Sequence, residues 1–315
     1  MLSLVFPMFN EEPVVGALRV ELDKFMAQVK CETEVVLVND GSSDATLARI
    51  TAWAAEDARI KVIHLSRNFG HQIAATAGLD YASGDAVVLI DADLQDPLAV
   101  VHPMIERYSE GYDVAYGRRE LRAGESPFKR FTAWLFYRLM RSLVWDRLPV
   151  DAGDFRLISR PCLDGLKRMR ETHRFLRGMV AWAGYPQVGV PYERAPRAAG
   201  RTKYPLGKML AFAWTAATSF STLPLKISVM LGIVCGLFGL EEAIRAVLAF
   251  WFGWYTVPGW TSLMVVTSLI GGSLLISIGI LGQYVGKIYE QSKERPLYLV
   301  ARTYNVADPP AANAR

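Results

Sequence analysis

Cysteine is scarce in this chain. Cys31, Cys162 and Cys235 are the only three in 315 residues, and they lie far apart with no metal-ligand or disulfide spacing. A cysteine metal site and a disulfide framework are thereby excluded, and buried free thiols in a reducing compartment are the expectation. A secretory-signal pattern is also missing. Met1 to Phe6 already looks like a strand, and Asn10, Glu11 and Glu12 follow at once, so the N-terminal part is expected to stay in the cytoplasm. There is no internal repeat and no long low-complexity tract; only a Pro/Ala-rich tail after Asn305 reads as disordered. Net charge is only +4, and nucleic acid is not among the expected partners. What the chain has in excess is apolar residues, at 51%. With a mean hydropathy of +0.17, this points to membrane segments.

The first 120 residues alternate apolar runs with helical patterns. Strands are expected at Leu2 to Pro7, Glu34 to Val38, Ile60 to Leu65, Ala86 to Ile90 and Val114 to Tyr116. Helical spacing covers Val14 to Val29, about Ala45 to Glu56, and Gly70 to Tyr81. Such alternation predicts a parallel α/β sheet with right-handed crossovers. Its ligands would bind at the C-terminal edge of the strands.

The fourth run ends abruptly in carboxylates: Asp91, Asp93, then Gln95, Asp96 and Pro97. Asp91 and Asp93 are two apart and would share a face on a continuing strand. Two close carboxylates repel, and a hard cation such as Mg2+ or Mn2+ relieves the repulsion, with Gln95 as a further oxygen ligand. An Asp-rich solvated turn is the plainer alternative. Asp40 ends the second strand, placed to hold a base or ribose; Ser42, Ser43 and Asp44 also suit a helix N-cap. Pro7, Asn10 and Glu11 end the first strand on the same edge, and Arg67 precedes a tight turn at Gly70. Arg67, Arg118 and Arg119 are candidate phosphate contacts. Asp151 to Arg156 forms a second acidic island, read as a loop, in which Asp154 is either an Asx-turn residue or a carboxylate facing the acceptor.

Phe128 to Val144 interleaves apolar residues with Lys129, Arg130, Arg138 and Arg141. That pattern fits a surface helix or one lying in a headgroup region. Trp260 to Val285 carries no charge and is long enough to span a bilayer. Leu225 to Trp254 is a less clean span, interrupted by Glu241, Glu242 and Arg245; the helix either pairs these charges or ends near them. Lysines flank both ends and the intervening loop has none, so both ends are expected in the cytoplasm. Just before this pair, Arg197 to Lys208 is a basic loop hinged at Gly200. It suits an anionic lipid headgroup, a closing lid, or merely a topogenic flank.

Taken together, these motifs resemble the family 2 glycosyltransferases that act on polyprenyl phosphates. The matching pieces are Phe6 to Glu12, Val38 to Asp44, Asp91 to Pro97, Gly153 to Arg156, Gly200 to Tyr204 and the C-terminal hydrophobic pair, in order along nearly the whole chain. The resemblance implies a GT-A-type, mostly parallel sheet with helices on both faces, amphipathic interface helices and a C-terminal transmembrane hairpin. Residues 1–205 would be the catalytic domain, 206–224 a juxtamembrane segment, 225–286 the two spans and 287–315 a cytoplasmic tail. It further implies a bacterial inner-membrane enzyme that moves a sugar, glucose from UDP-glucose foremost, onto polyprenyl phosphate. Asp91, Asp93 and Gln95 would hold the metal, and Asp154 and Arg156 would be catalytic. Pro7, Asn10, Glu11, Asp40, Arg67, Asp91 and Arg118 would bind the donor, and Arg119, Arg201, Thr202 and Lys203 the acceptor phosphate or a lid. GDP-mannose, UDP-N-acetylglucosamine and an aminoarabinose-type donor remain alternatives. A processive synthase and a non-enzymatic scaffold are the more distant ones. Whether the chain forms a homo-oligomer is left open.

Overall fold

The computed structural model describes residues 1–119, 152–193, 223–253 and 260–306. Residues 1–119, 152–193 and 294–306 form one unit, and residues 223–253 with 260–293 form another.

The first unit is an eight-stranded sheet. Its strands are β1 (Leu2–Met8), β2 (Thr33–Asn39), β3 (Ile60–Leu65), β4 (Ala86–Leu89), β5 (Val114–Arg119), β6 (Ala152–Ser159), β7 (Gln187–Tyr192) and β8 (Val300–Tyr304). Their order is β7-β5-β6-β4-β1-β2-β3-β8. β1 lies between β2 and β4, parallel to both, and all seven of its residues are buried. A parallel strand covered on both faces is nearly continuous in apolar residues, which is why the run Leu2 to Pro7 is readable as a strand. β2–β3 and β5–β7 are also parallel, whereas β6 runs antiparallel to β4 and β5, and β8 antiparallel to β3. The sheet is therefore mixed.

The helices of this unit are α1 (Glu12–Gln28), α2 (Thr46–Glu56), α3 (His71–Tyr81), α4 (Val101–Ser109), α5 (Arg160–Arg168) and α6 (Leu176–Ala183). α1 opens with Pro13 in its first turn, where a missing N–H costs nothing. α5 is capped by Ser159, whose side chain accepts from the Cys162 amide. Leu4, Phe6, Leu37, Val62 and Val88 join Leu18, Leu22, Ile50 and Met104 in one core on the α1, α2 and α4 face. α3 covers the opposite face, where Gly78 lets its backbone approach Val5 and Val38; a Cβ there would meet Val5 Cγ1 at 2.2 Å. Helices thus lie on both faces. The three thiols do not all follow expectation: Cys162 is buried, Cys235 half-buried and Cys31 exposed.

Two differences from the sequence reading bear on the site. Asp151 to Arg156, expected as a loop, is strand from Ala152 onward and enters the sheet beside β4. Residues 300–304, expected within a tail, form edge strand β8. The segment before β8 is fastened through Tyr298, whose hydroxyl donates to Asp80 Oδ2 (2.9 Å) at the far end of α3; Arg170 pairs with the same oxygen at 2.9 Å. Asn305 donates to the carbonyl of Ile60 at 3.0 Å.

The second unit consists of α7 (Leu223–Trp251) and α8 (Trp260–Ser292). Pro224–Ala249 and Val265–Ser292 are each long and apolar enough to cross a membrane. α7 continues through its charges instead of ending there, and Arg245 pairs with Glu242 one turn back at 3.3 Å. The expected amphipathic helix at 128–144 and the basic loop at 197–208, with Arg201, Thr202 and Lys203, lie outside the described residues.

Candidate active site

Parallel packing of β1, β2, β3 and β4 brings the loops after them to one edge of the sheet. The first two loops are stitched together. Asn10, in the left-handed region at φ 55°, accepts the Ser43 amide on Oδ1 at 2.9 Å, and its own amide donates to Ser42 Oγ at 3.0 Å. The Glu11 amide donates to Thr46 Oγ1 at 2.9 Å. Asp44 is not the N-cap of α2: that position is Ala45, which has no side-chain cap, and Asp44 lies one residue before it, where its Oδ1 accepts the Thr46 amide at 3.0 Å and the Thr46 hydroxyl at 2.5 Å. Burial pushes the Asp44 carboxyl up, but these bonds outweigh it and hold it below the ordinary aspartate value.

Asp40 is buried, and its two oxygens accept the amides of Phe69 (2.7 Å) and Gly70 (2.9 Å). Burial pushes this carboxyl up and the two amides pull it back, leaving it raised. It therefore shapes the loop after β3. The next residue, Gly41, has φ +66°, and a Cβ there would sit 2.5 Å from Arg67 C and Asn68 N. Gly41→Ala is expected to cost about 1–3 kcal/mol of stability, read as a lower unfolding midpoint in denaturant; an unchanged midpoint would show that the two loops are not locked. Arg67 stacks on the Phe69 ring, 4.0 Å from its centroid, and donates to the Asn68 carbonyl.

β4 stops at Leu89, so Asp91 and Asp93 are not neighbours on a continuing strand. The chain turns through Ala92 and Asp93 to Leu94, which has φ 56°. Asp93 Oδ1 accepts the Gln95 amide at 3.1 Å. The Gln95 side chain is buried, as is Asp96, which accepts the Tyr192 hydroxyl on β7. Burial pushes the Asp91 carboxyl up; His71 pulls it back, and Asp154, Asp96 and Asp93 push it further, leaving it raised.

Asp154 arrives from β6 with its side chain 8% exposed. Arg177 on α6 grips it with two bonds, Nε to Oδ1 at 2.7 Å and an Nη to Oδ2 at 3.2 Å. Gln72 on α3 donates to Oδ2 at 3.1 Å and accepts the Leu176 amide at 3.0 Å, tying α3 to the start of α6. His71 Nε2 lies 3.5 Å from Asp154 Oδ2 and 3.3 Å from Asp91 Oδ1, linking the two carboxylates. Burial alone would raise the Asp154 carboxyl, but His71 and Arg177 outweigh it and hold it far below the usual carboxylate range. Arg156, on the same face of β6 and buried, donates to the Gly153 carbonyl at 2.8 Å. Burial lowers its guanidinium to about 10, still charged at neutral pH.

The structure thus brings Asp91, Asp154 and Arg156 together and adds His71, Gln72 and Arg177, which the motif reading missed. His71 and Gln72 directly follow the Arg67 to Gly70 turn, a signal that went unused. Arg177 had no local signal, since it meets Asp154 only through folding. Arg118 is exposed on β5, and Arg119 ends that strand.

The family model for glycosyl transferase family 2 matches residues 3–166. The uncharacterized glycosyltransferase YkcC of Bacillus subtilis (strain 168) is 44% identical over 304 residues, covering 96% of this chain and 94% of the relative. A bactoprenol glucosyl transferase of Shigella phage SfV is 39% identical over 300 residues, covering 95% of this chain and 97% of the relative. A prophage bactoprenol glucosyl transferase homolog of Escherichia coli (strain K12) is 38% identical over 305 residues, 96% and 98% of the two chains. Identity at this level along nearly the whole length, over a mixed sheet whose strand-end carboxylates meet at one edge, leaves a single assignment: the chain belongs to glycosyl transferase family 2.

Proposed function

We propose that the protein is a membrane-bound inverting glycosyltransferase that moves glucose from UDP-glucose onto a polyprenyl phosphate, undecaprenyl phosphate in a bacterium, at the cytoplasmic leaflet. The observation that carries this reading is the 39% identity to a bactoprenol glucosyl transferase over 97% of that protein's length. That likeness covers the sheet with its carboxylates and the two apolar helices alike.

A divalent cation fits the turn after β4. The donors are carboxylate and amide oxygens, and Asp91 is raised by burial first and by the neighbouring acids Asp154, Asp96 and Asp93 besides. The His71 ring already stands against Asp91, Nε2 to Oδ1 at 3.3 Å. Among the described residues no group of three or more His, Cys, Asp or Glu could hold a metal by itself, so substrate phosphate and water would complete the shell. Asp91, Asp93 and Gln95 would hold Mg2+ or Mn2+, which when bound offsets the charge on the leaving diphosphate.

The protein's own part is placement. The stitched loops after β1, β2 and β3, with Pro7, Asn10, Glu11 and Asp40, form the nucleotide side of the edge. A phosphate oxygen of the acceptor forms the new bond to the anomeric carbon from the face opposite the nucleotide. The bond from that carbon to the UDP oxygen breaks, and UDP leaves. A phosphate monoester has its second pKa at about 6, so near neutral pH the attacking oxygen needs no base. A donor panel of UDP-glucose, GDP-mannose and UDP-N-acetylglucosamine with undecaprenyl phosphate tests the assignment; UDP-glucose should give the largest kcat/KM, and preference for another sugar would move the donor assignment while keeping the reaction.

α7 and α8 are read as a transmembrane hairpin with both ends in the cytoplasm. With Cys31, Cys162 and Cys235 all replaced by alanine, single cysteines at Thr256 and Ser292 should label from opposite sides of sealed vesicles. Labelling of both from one side would mean that α8 does not span.

A further inference from the structure

We propose that Tyr192 is a positioning residue for the metal turn: its hydroxyl, bound to Asp96, holds the turn after β4 in the form that presents Asp91, Asp93 and Gln95 to a divalent cation. This deepens the function proposed above and rests on its metal reading.

β4, β5 and β7 run the same way, because β4 and β5 are both antiparallel to β6 and β5 is parallel to β7. Tyr192 closes β7 and therefore stands at the same edge as the turn after β4. β5 and β6 separate the two strands, and the Tyr192 side chain crosses them to donate to Asp96 Oδ1. On the way its ring meets Phe155 of β6 edge to face, with centroids 5.7 Å apart. Gly117 of β5 leaves the room for it: a Cβ there would lie 2.8 Å from Tyr192 Cε1 and 3.0 Å from Phe155 Cδ1. Tyr192 and Asp96 are both buried. A buried carboxylate is tolerable where it is hydrogen-bonded, and a hydroxyl on a carboxylate is among the stronger such bonds.

The turn needs such a fastening. Leu94, in its middle, has φ 56°, which a bulky residue seldom adopts. A backbone conformation of this kind persists only where the surrounding structure over-determines it. At the start of the turn the Ile90 amide donates to the Val5 carbonyl at 3.1 Å, and within it Asp93 Oδ1 accepts the Gln95 amide at 3.1 Å. The far end is held through the Asp96 side chain by Tyr192. Without that bond Leu94 can relax, and the oxygens of Asp91, Asp93 and Gln95 lose their common arrangement. Groups that orient metal-binding side chains from outside the ligand set are worth about 10- to 100-fold in metal affinity. Phe155 stands between Asp154 and Arg156 on β6, so the ring that holds the metal turn also packs against the strand that delivers Asp154.

The test removes the hydroxyl in three backgrounds. Mn2+ binding to the full-length protein is followed by electron paramagnetic resonance at a fixed UDP concentration, with and without Tyr192→Phe, in wild type, Asp96→Asn and Asp96→Ala. Phenylalanine keeps the ring against Phe155 and Gly117 and loses only the hydroxyl. Asparagine still accepts that hydroxyl on its side-chain oxygen and leaves no buried charge behind when the hydroxyl goes, so this pair folds even where Tyr192→Phe alone does not. Tyr192→Phe should weaken Mn2+ binding about 10-fold in wild type and in Asp96→Asn, and less than about twofold in Asp96→Ala, where the bond is already gone. At saturating Mn2+ and UDP-glucose, kcat of Tyr192→Phe should stay within about threefold of wild type, because the loss is one of metal affinity. Equal weakening in all three backgrounds, or none in wild type and Asp96→Asn, overturns the proposal. A wild type that binds no Mn2+ overturns the metal reading and this role of Tyr192 together. A wild type that binds Mn2+ yet makes no lipid product overturns the transferase reading alone.

Discussion

Asp154→Asn should lower the transfer rate about 100-fold, and by nearly the same factor at pH 6.5 and at pH 8.5. The family resemblance gives Asp154 the part of catalytic base, and a base would behave differently. Its loss would be felt most at pH 6.5, where part of the acceptor phosphate still carries a proton, and least at pH 8.5, where the acceptor is deprotonated without help. The geometry favours the first outcome. A useful base has a pKa near the working pH, and Asp154 is held far below the carboxylate range by His71 and Arg177. The sign is clear: a carboxylate whose pKa is depressed by folding stays ionised, and keeps its ion pairs, throughout the neutral range, releasing them only well below pH 4. Between pH 6.5 and 8.5 its charge does not change, so the defect of the Asn variant has no titration to follow. Asn retains one acceptor oxygen and loses the bidentate grip on Arg177, so the guanidinium is no longer fixed against β6. A ratio that recovered by pH 8.5 would restore the base.

The other large effect belongs to the turn after β4. Asp91→Asn should cost about 10²- to 10³-fold in kcat/KM at saturating Mn2+, in keeping with several kcal/mol of transition-state stabilisation. Asp93→Asn should cost less, because one of its oxygens also serves the turn by accepting the Gln95 amide. Mn2+ binding followed by electron paramagnetic resonance should weaken in both variants, a readout independent of turnover. Asp91→Asn should still fold, since Asp91 is a buried carboxylate beside Asp154, Asp96 and Asp93, and removing its charge relieves both the burial cost and the repulsion. Full activity of both variants in EDTA would eliminate the metal.

The sheet was legible where burial on two faces demanded continuous apolar runs. For that reason β1 to β4, expected at Leu2 to Pro7, Glu34 to Val38, Ile60 to Leu65 and Ala86 to Ile90, lie within one residue of those ends. β6 was hidden because Gly153, Asp154 and Arg156 look like loop chemistry. Its alternation was present all the same: Phe155 and Leu157 face the core, while Asp154 and Arg156 face the other way. Two buried charges on a strand are tolerable because Arg177 and Gln72, from distant segments, satisfy Asp154, while the strand's own Gly153 and Asp154 carbonyls take the Arg156 donors; a local reading does not see Arg177 or Gln72. β8 was missed for the opposite reason. An exposed edge strand with Arg302 and Thr303 has little hydrophobic signal, and its identity comes from pairing with β3. The carboxylates at the strand ends announced the site, but the cation that grips Asp154 lay on a helix beyond it.

The most direct measurement is transfer of radiolabelled glucose from UDP-glucose to undecaprenyl phosphate by the purified full-length protein in lipid vesicles with Mn2+. The account predicts one glucosyl phospholipid product with inverted, β configuration at the anomeric carbon, formed in step with UDP release and abolished by EDTA. Release of UDP and free glucose with no labelled lipid, or a lipid product of retained configuration, would contradict it.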